Sequence, residues 1–403
     1  MRKGILLGSA LLVLAIGFGL ATMSGDDGTE PSTIPDGSVV PGAVGSIAGT
    51  LAPSSTTVTT LGSGMSATST VSDPKSTTYL VWTSGGLTDG LVTGLERRFD
   101  IVSIVAGDAA PLDIGDGQVV PLDAVAIDVD SHAPFDPAGE TRSLRPGTVL
   151  LGETSAAYRG LAVGDRMTFG EETFEVAAIV SDEAFGAAEV VFSVSDPGSP
   201  VTAARYALVE TDVDRSELEP AVAAMNDSPA PARIRAEGET RWMRHADAVL
   251  PQIFIKAALG EFSYPADSGP ELTQDRDFVN SNIVTTEVPV LGRVTCHRVV
   301  VEMLIGAMDQ LEAEGLSDAI DPGEFAGCWN PRFIRTITGT PTGVSRHSWG
   351  AALDINAASN GLGTRGSQDR RLVEIMKEWG FLWGGDWAVP DPMHFEYGVL
   401  PDS

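Results

Sequence analysis

Cysteine, histidine and basic residues are scarce in this 403-residue chain, and each shortage narrows what the protein does. The two cysteines, Cys296 and Cys328, have no CxxC-like spacing, which argues against a cysteine-built metal cluster. Lys and Arg number 26 against 55 Asp and Glu, for a net charge of −29. Nucleic-acid binding needs Lys and Arg on phosphates, so that class is excluded. The acidic excess serves solubility and says nothing of fold. After residue 23 no run is long and apolar enough to span a bilayer. Histidines occur only at 132, 245, 297, 347 and 394, so any site built from them is built from few.

The one long apolar run opens the chain. Met1-Arg2-Lys3 precedes an uncharged stretch from Gly4 to Met23. As a helix that stretch rises about 30 Å, the thickness of a bilayer core. Its length favours an uncleaved single-pass anchor (residues 1–23), with the basic end cytoplasmic and the rest outside. A cleaved signal peptide, leaving a secreted protein, is the rival. Residues 24–75 are rich in Ser, Thr, Gly and Pro, with Asp26, Asp27, Glu30, Asp36 and Asp73 before the first base, Lys75. Such a segment buries too little apolar area to offset its ordering entropy, and reads as a disordered stalk.

Residues 76–240 read as a separate, β-rich α+β domain. Thr78 to Trp82 is a β-branched and aromatic strand, and Arg166–Phe169 with Thr173–Val180 flank Gly170 as a hairpin. Ser216 is expected to cap a helix running to Met225, with Glu219 at capping-box spacing and Pro220 in the first turn. No cluster with metal spacing occurs here, so a non-catalytic spacer or partner-binding module is expected. Leu151 to Tyr158 with Gly160 to Asp165 resembles the extracytoplasmic domain of MacB-like transporter permeases. Residues 241–285 read as a connector, with Phe254 to Phe262 apolar enough to dock on the C-terminal domain.

Residues 286–403 carry the chemistry. Ser345-Arg346-His347-Ser348-Trp349-Gly350-Ala351-Ala352-Leu353-Asp354 is followed by Asp391-Pro392-Met393-His394-Phe395-Glu396. His347, Asp354 and His394 make a tripod for Zn2+, which takes tetrahedral N/O ligands and keeps a fourth position open when catalytic. Asp354 sits among apolar residues, where a carboxylate asks for a cation. Asp391 is placed to take a proton from a metal-bound water. His394 and Glu396 share one face of an extended segment, so Glu396 either orients a ligand histidine or is a surface acid. Helices are expected over Val299–Leu311, stopped by Gly315, and from Ser367 as N-cap to Trp379, with Leu372, Ile375, Met376 and Trp379 inward. Trp383 and Trp387 line a substrate groove or pack in the core.

These motifs resemble the D-alanyl-D-alanine carboxypeptidase (VanY-like) and L-alanyl-D-glutamate endopeptidase group of zinc metallopeptidases. Ser345, His347, Gly350, Ala352 and Asp354 match that group's first motif, and Asp391 with His394 its second. The resemblance implies metal ligands at 347, 354 and 394, a general base at Asp391, and peptidoglycan stem peptides as substrate. Asp at position 391 is nearer the endopeptidase branch, so the bond cleaved stays open. Gly327 to Ile334 is similar to the segment bringing an arginine to substrate, which makes Arg332 the choice over Arg335; a guanidinium grips a carboxylate bidentately. The expected fold is a small antiparallel sheet with flanking helices. An even cysteine count in an exported chain favours a Cys296–Cys328 disulfide, worth about 3–4 kcal/mol for that loop; His297 beside it reads as helix-terminal. The alternative to an enzyme is a zinc-containing binding or adaptor protein, as in hedgehog-like domains.

Overall fold

Strand-forming runs dominate residues 76–236, and helices flank short strands beyond 250. The computed structural model describes residues 76–400, apart from 84–85, 137, 202, 229, 237–248 and 335–342. The expected N-terminal membrane helix, the stalk, His245 and Arg335 lie outside the described residues. Among the described residues no helix is long and apolar enough to cross a membrane. The described residues all fall within one compact unit, Thr70–Ser403.

In chain order the first nine strands are β1 (Thr77–Thr83), β2 (Asp100–Gly115), β3 (Gln118–Ile127), β4 (Thr148–Gly152), β5 (Arg166–Phe169), β6 (Glu172–Val180), β7 (Val190–Ser193), β8 (Ala204–Thr211) and β9 (Ala232–Ala236). They pair as β5-β6-β4-β7-β3-β2-β8-β1-β9, with β3·β7 and β4·β6 parallel and the other pairs antiparallel. The β5–β6 hairpin turns at Gly170, whose φ of +62° suits glycine at a tight turn. Helices α1 (Asp89–Arg98), α2 (Val129–His132), α3 (Glu153–Arg159) and α4 (Arg215–Met225) decorate the sheet. Helix α4 starts earlier than the sequence suggests. Asp214 occupies its N-cap, so Ser216 is already helical and Pro220 lies inside, beyond the first turn. Leu218 and Val222 are buried, as their spacing implies, and this packing outweighs the one backbone hydrogen bond that proline forgoes.

Helix α5 (Gln252–Leu259) opens the second half, and the short β10 (Tyr264–Pro265) adds to the large sheet against β3. Helix α6 (Arg276–Asn282), hairpin β11 (Ile283–Val288) and β12 (Gly292–His297), helix α7 (Arg298–Ala313), β13 (Ala352–Asp354), α8 (Arg370–Glu378), β14 (Phe381–Trp383) and β15 (His394–Tyr397) complete the chain order. Strands β13, β15 and β14 form an antiparallel three-stranded sheet with β15 central. Val300, Leu304, Ala307, Met308 and Leu311 of α7 and Leu372, Ile375 and Met376 of α8 share its core.

Helix α8 departs from expectation at both ends. Its N-cap is Asp369, whose carboxylate accepts from Arg371 N and Leu372 N. Ser367 lies two residues before that cap, and its amide bonds Asn360 Oδ1 in the preceding loop. Trp379 caps the helix 39% exposed instead of facing inward. It lies over Gly306 of α7, where a Cβ would come within 2.2 Å of its ring. Trp383 is a packing residue: its ring stacks on Phe395, and Nε1 donates to Pro392 O at 2.8 Å. Cys296 and Cys328 form a disulfide with Cα atoms 5.4 Å apart.

Candidate metal centre

Strand register brings the first two groups together. In the antiparallel β13–β15 pair Asp354 lies directly opposite His394. His347 sits on a 3-10 turn, Arg346–Trp349, that Ser345 caps by accepting from His347 N. Gly350 ends this turn at φ +62°, and a Cβ there would come within 2.5 Å of His297 N. Only glycine lets the turn press against β12 and feed straight into β13.

One ligand atom each from His347, Asp354 and His394 lies within 4.8 Å of the others, a possible metal site. His347 Nε2 is 3.4 Å from Asp354 Oδ2, and His394 Nδ1 is 3.1 Å from Asp354 Oδ1. The outward nitrogen of each ring is also engaged. His347 Nδ1 meets Cys328 O at 2.8 Å, and His394 Nε2 meets Glu396 Oε2 at 3.2 Å. An acceptor on the outer nitrogen holds a ring proton there, so that a metal can take the inner nitrogen. Both rings thus turn their inner nitrogen to Asp354, where a metal that displaced the bridging hydrogen would find a lone pair.

The electrostatics describe a cluster built around a cation. Burial works to raise the Asp354 pKa, yet hydrogen bonds from His347 and His394 hold its carboxyl well below the usual range. Burial works to lower that of His394, but Asp354 and Glu396 outweigh it and push the imidazole up to about 10. A site that stabilises a proton between two carboxylates is one that a metal ion can occupy in its place. Two imidazoles and a carboxylate also suit a divalent transition ion by donor type.

Asp391 stands beside this cluster on the turn into β15. Its amide donates to Gly384 O at 2.9 Å, and its carbonyl accepts from His394 N at 3.0 Å. A Cβ on Gly384 would come within 2.5 Å of Asp391 O, so the close approach requires glycine. Asp391 Oδ1 is buried without a hydrogen-bond partner. Burial raises its pKa, while His394, His347 and Arg332 pull it back down and Asp354 adds to the rise. The loop before α8 steadies this turn: Met393 N donates to Asn360 O at 3.0 Å and Gly363 N to Pro390 O at 2.6 Å.

The remaining expected residues sort by what they touch. The Arg332 charge is felt at Asp391, and its backbone is tied to Ser348 Oγ through both N and O. Trp387 lies with its ring 4.9 Å from the His394 ring. Glu396 is buried at 2% exposure, which removes the surface-acid reading. Ser345 shapes the turn and does not reach the cluster. His297 caps α7 through Nδ1, with Nε2 on Leu259 O at 3.0 Å, a structural position. Among the described residues no other group of three potential ligands converges in this way.

Three supports carry no sequence motif. Asp354 N donates to Gly327 O and Ala326 N to Asp354 O, so segment 326–332 clamps that ligand's backbone. Its Cys328 carbonyl orients His347, a role a backbone group never announces in sequence. Gln274 donates to Ser348 O at 2.7 Å and accepts from Trp329 Nε1 at 2.9 Å, tying the turn to the same segment.

A family model described as D-alanyl-D-alanine carboxypeptidase matches residues 338–397, a span that holds His347, Asp354, Asp391 and His394. The C-terminal segment is therefore similar to a carboxypeptidase domain over those residues. No curated protein sequence matches the chain significantly. Among solved structures, the periplasmic region of MacB from Actinobacillus actinomycetemcomitans is similar at 13% identity and TM-score 0.27, covering 40% of this chain and 88% of that one. A domain of a permease protein from Porphyromonas gingivalis is similar at 12% identity and TM-score 0.25, covering 43% and 93%. TM-scores this low carry no argument about fold or function.

Proposed function

We propose that the protein is a zinc-dependent peptidase that hydrolyses peptidoglycan stem peptides outside the cytoplasm, held at the membrane by residues 1–23. The observation that carries this reading is the pairing of a preset ligand cluster with an acid that is not a ligand. His347, Asp354 and His394 converge, and Asp391 stands next to them with a buried, unpartnered oxygen. A purely structural metal site has no use for that acid.

Zinc held by the three side chains would polarise the scissile carbonyl and supply a water acidic enough to ionise near neutral pH. The chain's own groups do the rest. Asp391 accepts the proton of the attacking water and returns it to the leaving amine. Arg332 binds a substrate carboxylate near the cut and offsets developing negative charge. Cys328 O and Glu396 keep both imidazoles in the ligating tautomer. Trp387, against His394, walls the approach to the site. Residues 76–240 hold the catalytic part away from the membrane and offer a surface to a protein partner.

The test is digestion of purified muropeptides by the full chain, with products identified by mass. Loss of a terminal D-Ala marks a carboxypeptidase, and cleavage next to D-Glu an endopeptidase. His347→Ala should lose both zinc and activity. Full zinc with no cleavage of any muropeptide would overturn the enzyme reading in favour of a zinc-containing binding or adaptor protein.

A further inference from the structure

Between the large sheet and the metal centre lies an ion cluster that the proposed chemistry does not use. Glu189, just before β7, and Lys256 of α5 are both fully buried. Lys256 Nζ donates to Glu189 Oε2 at 2.9 Å and to Glu261 Oε1 at 2.7 Å, and also to Pro121 O. Arg159 of α3 bonds Glu189 at 2.7 Å and also Glu261. The other Glu189 oxygen accepts from Asp123 N at 3.0 Å and Gln252 Nε2 at 2.8 Å. Two cations and two anions balance, and nearly every polar atom of Glu189 and Lys256 is engaged. A buried ion pair is costly unless so completely bonded, so this arrangement determines where α5 sits.

The flanks of the same helix hold the turn bearing His347. Arg346 NH2 donates to Leu250 O at 2.6 Å, just before α5, and Trp349 Nε1 to Gly260 O at 3.0 Å, just after it. The Phe262 and Trp349 rings lie 4.7 Å apart, and Leu259 O receives His297 Nε2. The helix is thus bonded through its side chains to the large sheet and through its flanking carbonyls to the turn Arg346–Trp349. We infer that Glu189 is a positioning residue for the metal centre, acting through α5 on the His347 turn, so that the β-rich domain supports the site and is not a detachable spacer. The inference rests on the proposed metal reading only for its second readout, zinc affinity.

Glu189→Gln strips one anion from the cluster and leaves an excess buried cation, which should undock α5. In the metal-free full chain, hydrogen–deuterium exchange over residues 345–351 should accelerate about tenfold, the signature of local opening. Leu208→Ala, in a separate apolar cluster of the large sheet, should destabilise the chain without that local acceleration. Glu189→Gln with Lys256→Met restores charge balance and should return exchange to within about threefold of wild type. Arg346→Met, which leaves the ion cluster intact, should speed exchange at the first bonded amides of α5, Phe254 and Ile255, as well as in the turn. Zinc affinity should fall in Glu189→Gln by a similar factor. Unchanged exchange at 345–351 in Glu189→Gln, or equal acceleration in Leu208→Ala, overturns the coupling. Should Glu189→Gln fail to fold, unchanged exchange at Phe254 and Ile255 in Arg346→Met overturns it. If the exchange pattern holds while wild type takes up no zinc, the coupling stands and the metal reading falls.

Discussion

Replacing Glu396 by Gln removes one charge from a residue that touches no substrate, and its effect follows from the atoms around it. Glu396 is 2% exposed, with Oε2 3.2 Å from His394 Nε2 and Oε1 buried without a partner. A glutamine there has two orientations. With its oxygen toward His394, the ring proton stays on Nε2, but the new NH2 falls where Oε1 was and finds no acceptor. An unsatisfied buried donor costs about 1–3 kcal/mol of stability. With its NH2 toward His394, the proton moves to Nδ1, the nitrogen that faces Asp354, and the lone pair for the metal is lost. Either way zinc affinity falls, by about 10–100-fold for loss of a carboxylate behind a ligand histidine. That factor is about 1.4–2.7 kcal/mol. Asp354 and Glu396 together raise the His394 pKa to about 10 in the metal-free protein, so the substitution weakens a competing proton as well. The affinity loss should therefore grow as pH rises from neutrality towards that value. Competition against a chromophoric zinc chelator over a pH series measures it. Zinc affinity equal to wild type at every pH would refute the tautomer argument and leave Glu396 a packing residue.

Asp391→Asn keeps the side-chain volume and spares all three ligands, so zinc should be retained while kcat falls by about 10²–10⁴-fold; a wild-type rate on muropeptides would move the base elsewhere. Burial depresses the pKa of both His132 and His297 from 6.5 to about 4. The unfolded chain therefore protonates first, and stability is lost as pH falls from 6.5 through 4, by up to about 3 kcal/mol for each ring. Urea unfolding should show a flatter pH dependence in His132→Phe, which keeps the stack on Phe185 and cannot titrate. Reducing the Cys296–Cys328 disulfide, which spans 32 residues, should cost about 3–4 kcal/mol. Because Cys328 O holds His347, reduction should also weaken zinc binding measured by the same competition, and unchanged affinity would separate the crosslink from the site.

The candidate metal site was legible because two of its three groups are close in sequence and its geometry follows from local rules. Six residues separate His347 from Asp354, and a glycine between them reverses the chain into β13. Two-residue alternation along β15 puts His394 and Glu396 on one face, as in any strand. The helical periods of α7 and α8 were equally plain, since buried positions repeat at 3–4 residues. Helix starts were less so. Ser367 has the right side chain for a cap, but its amide is tied to Asn360 in the loop and the helix begins two residues later, at Asp369. Ser and Asp cap about equally well, a difference well under the roughly 1 kcal/mol a cap is worth, so local preference does not choose between 367 and 369.

Lys256 marks the limit of such reading. Within an apolar run from Phe254 to Leu259, one lysine looks like a side chain that threads its ammonium to solvent. It is instead fully buried, because Glu189 lies 67 residues upstream and nothing in either local pattern names the other as its partner. The same holds for Glu189, which reads as an ordinary acid at a strand entry. Only the pairing of α5 with the large sheet makes them neighbours, and the pairing itself depends on their charges. Where a motif is contiguous, sequence exposes the chemistry. Where two halves of a chain are joined by a few buried charges, sequence shows two unrelated segments, and the support of the metal centre by residues 76–240 becomes visible only once α5 is seen bonded to both.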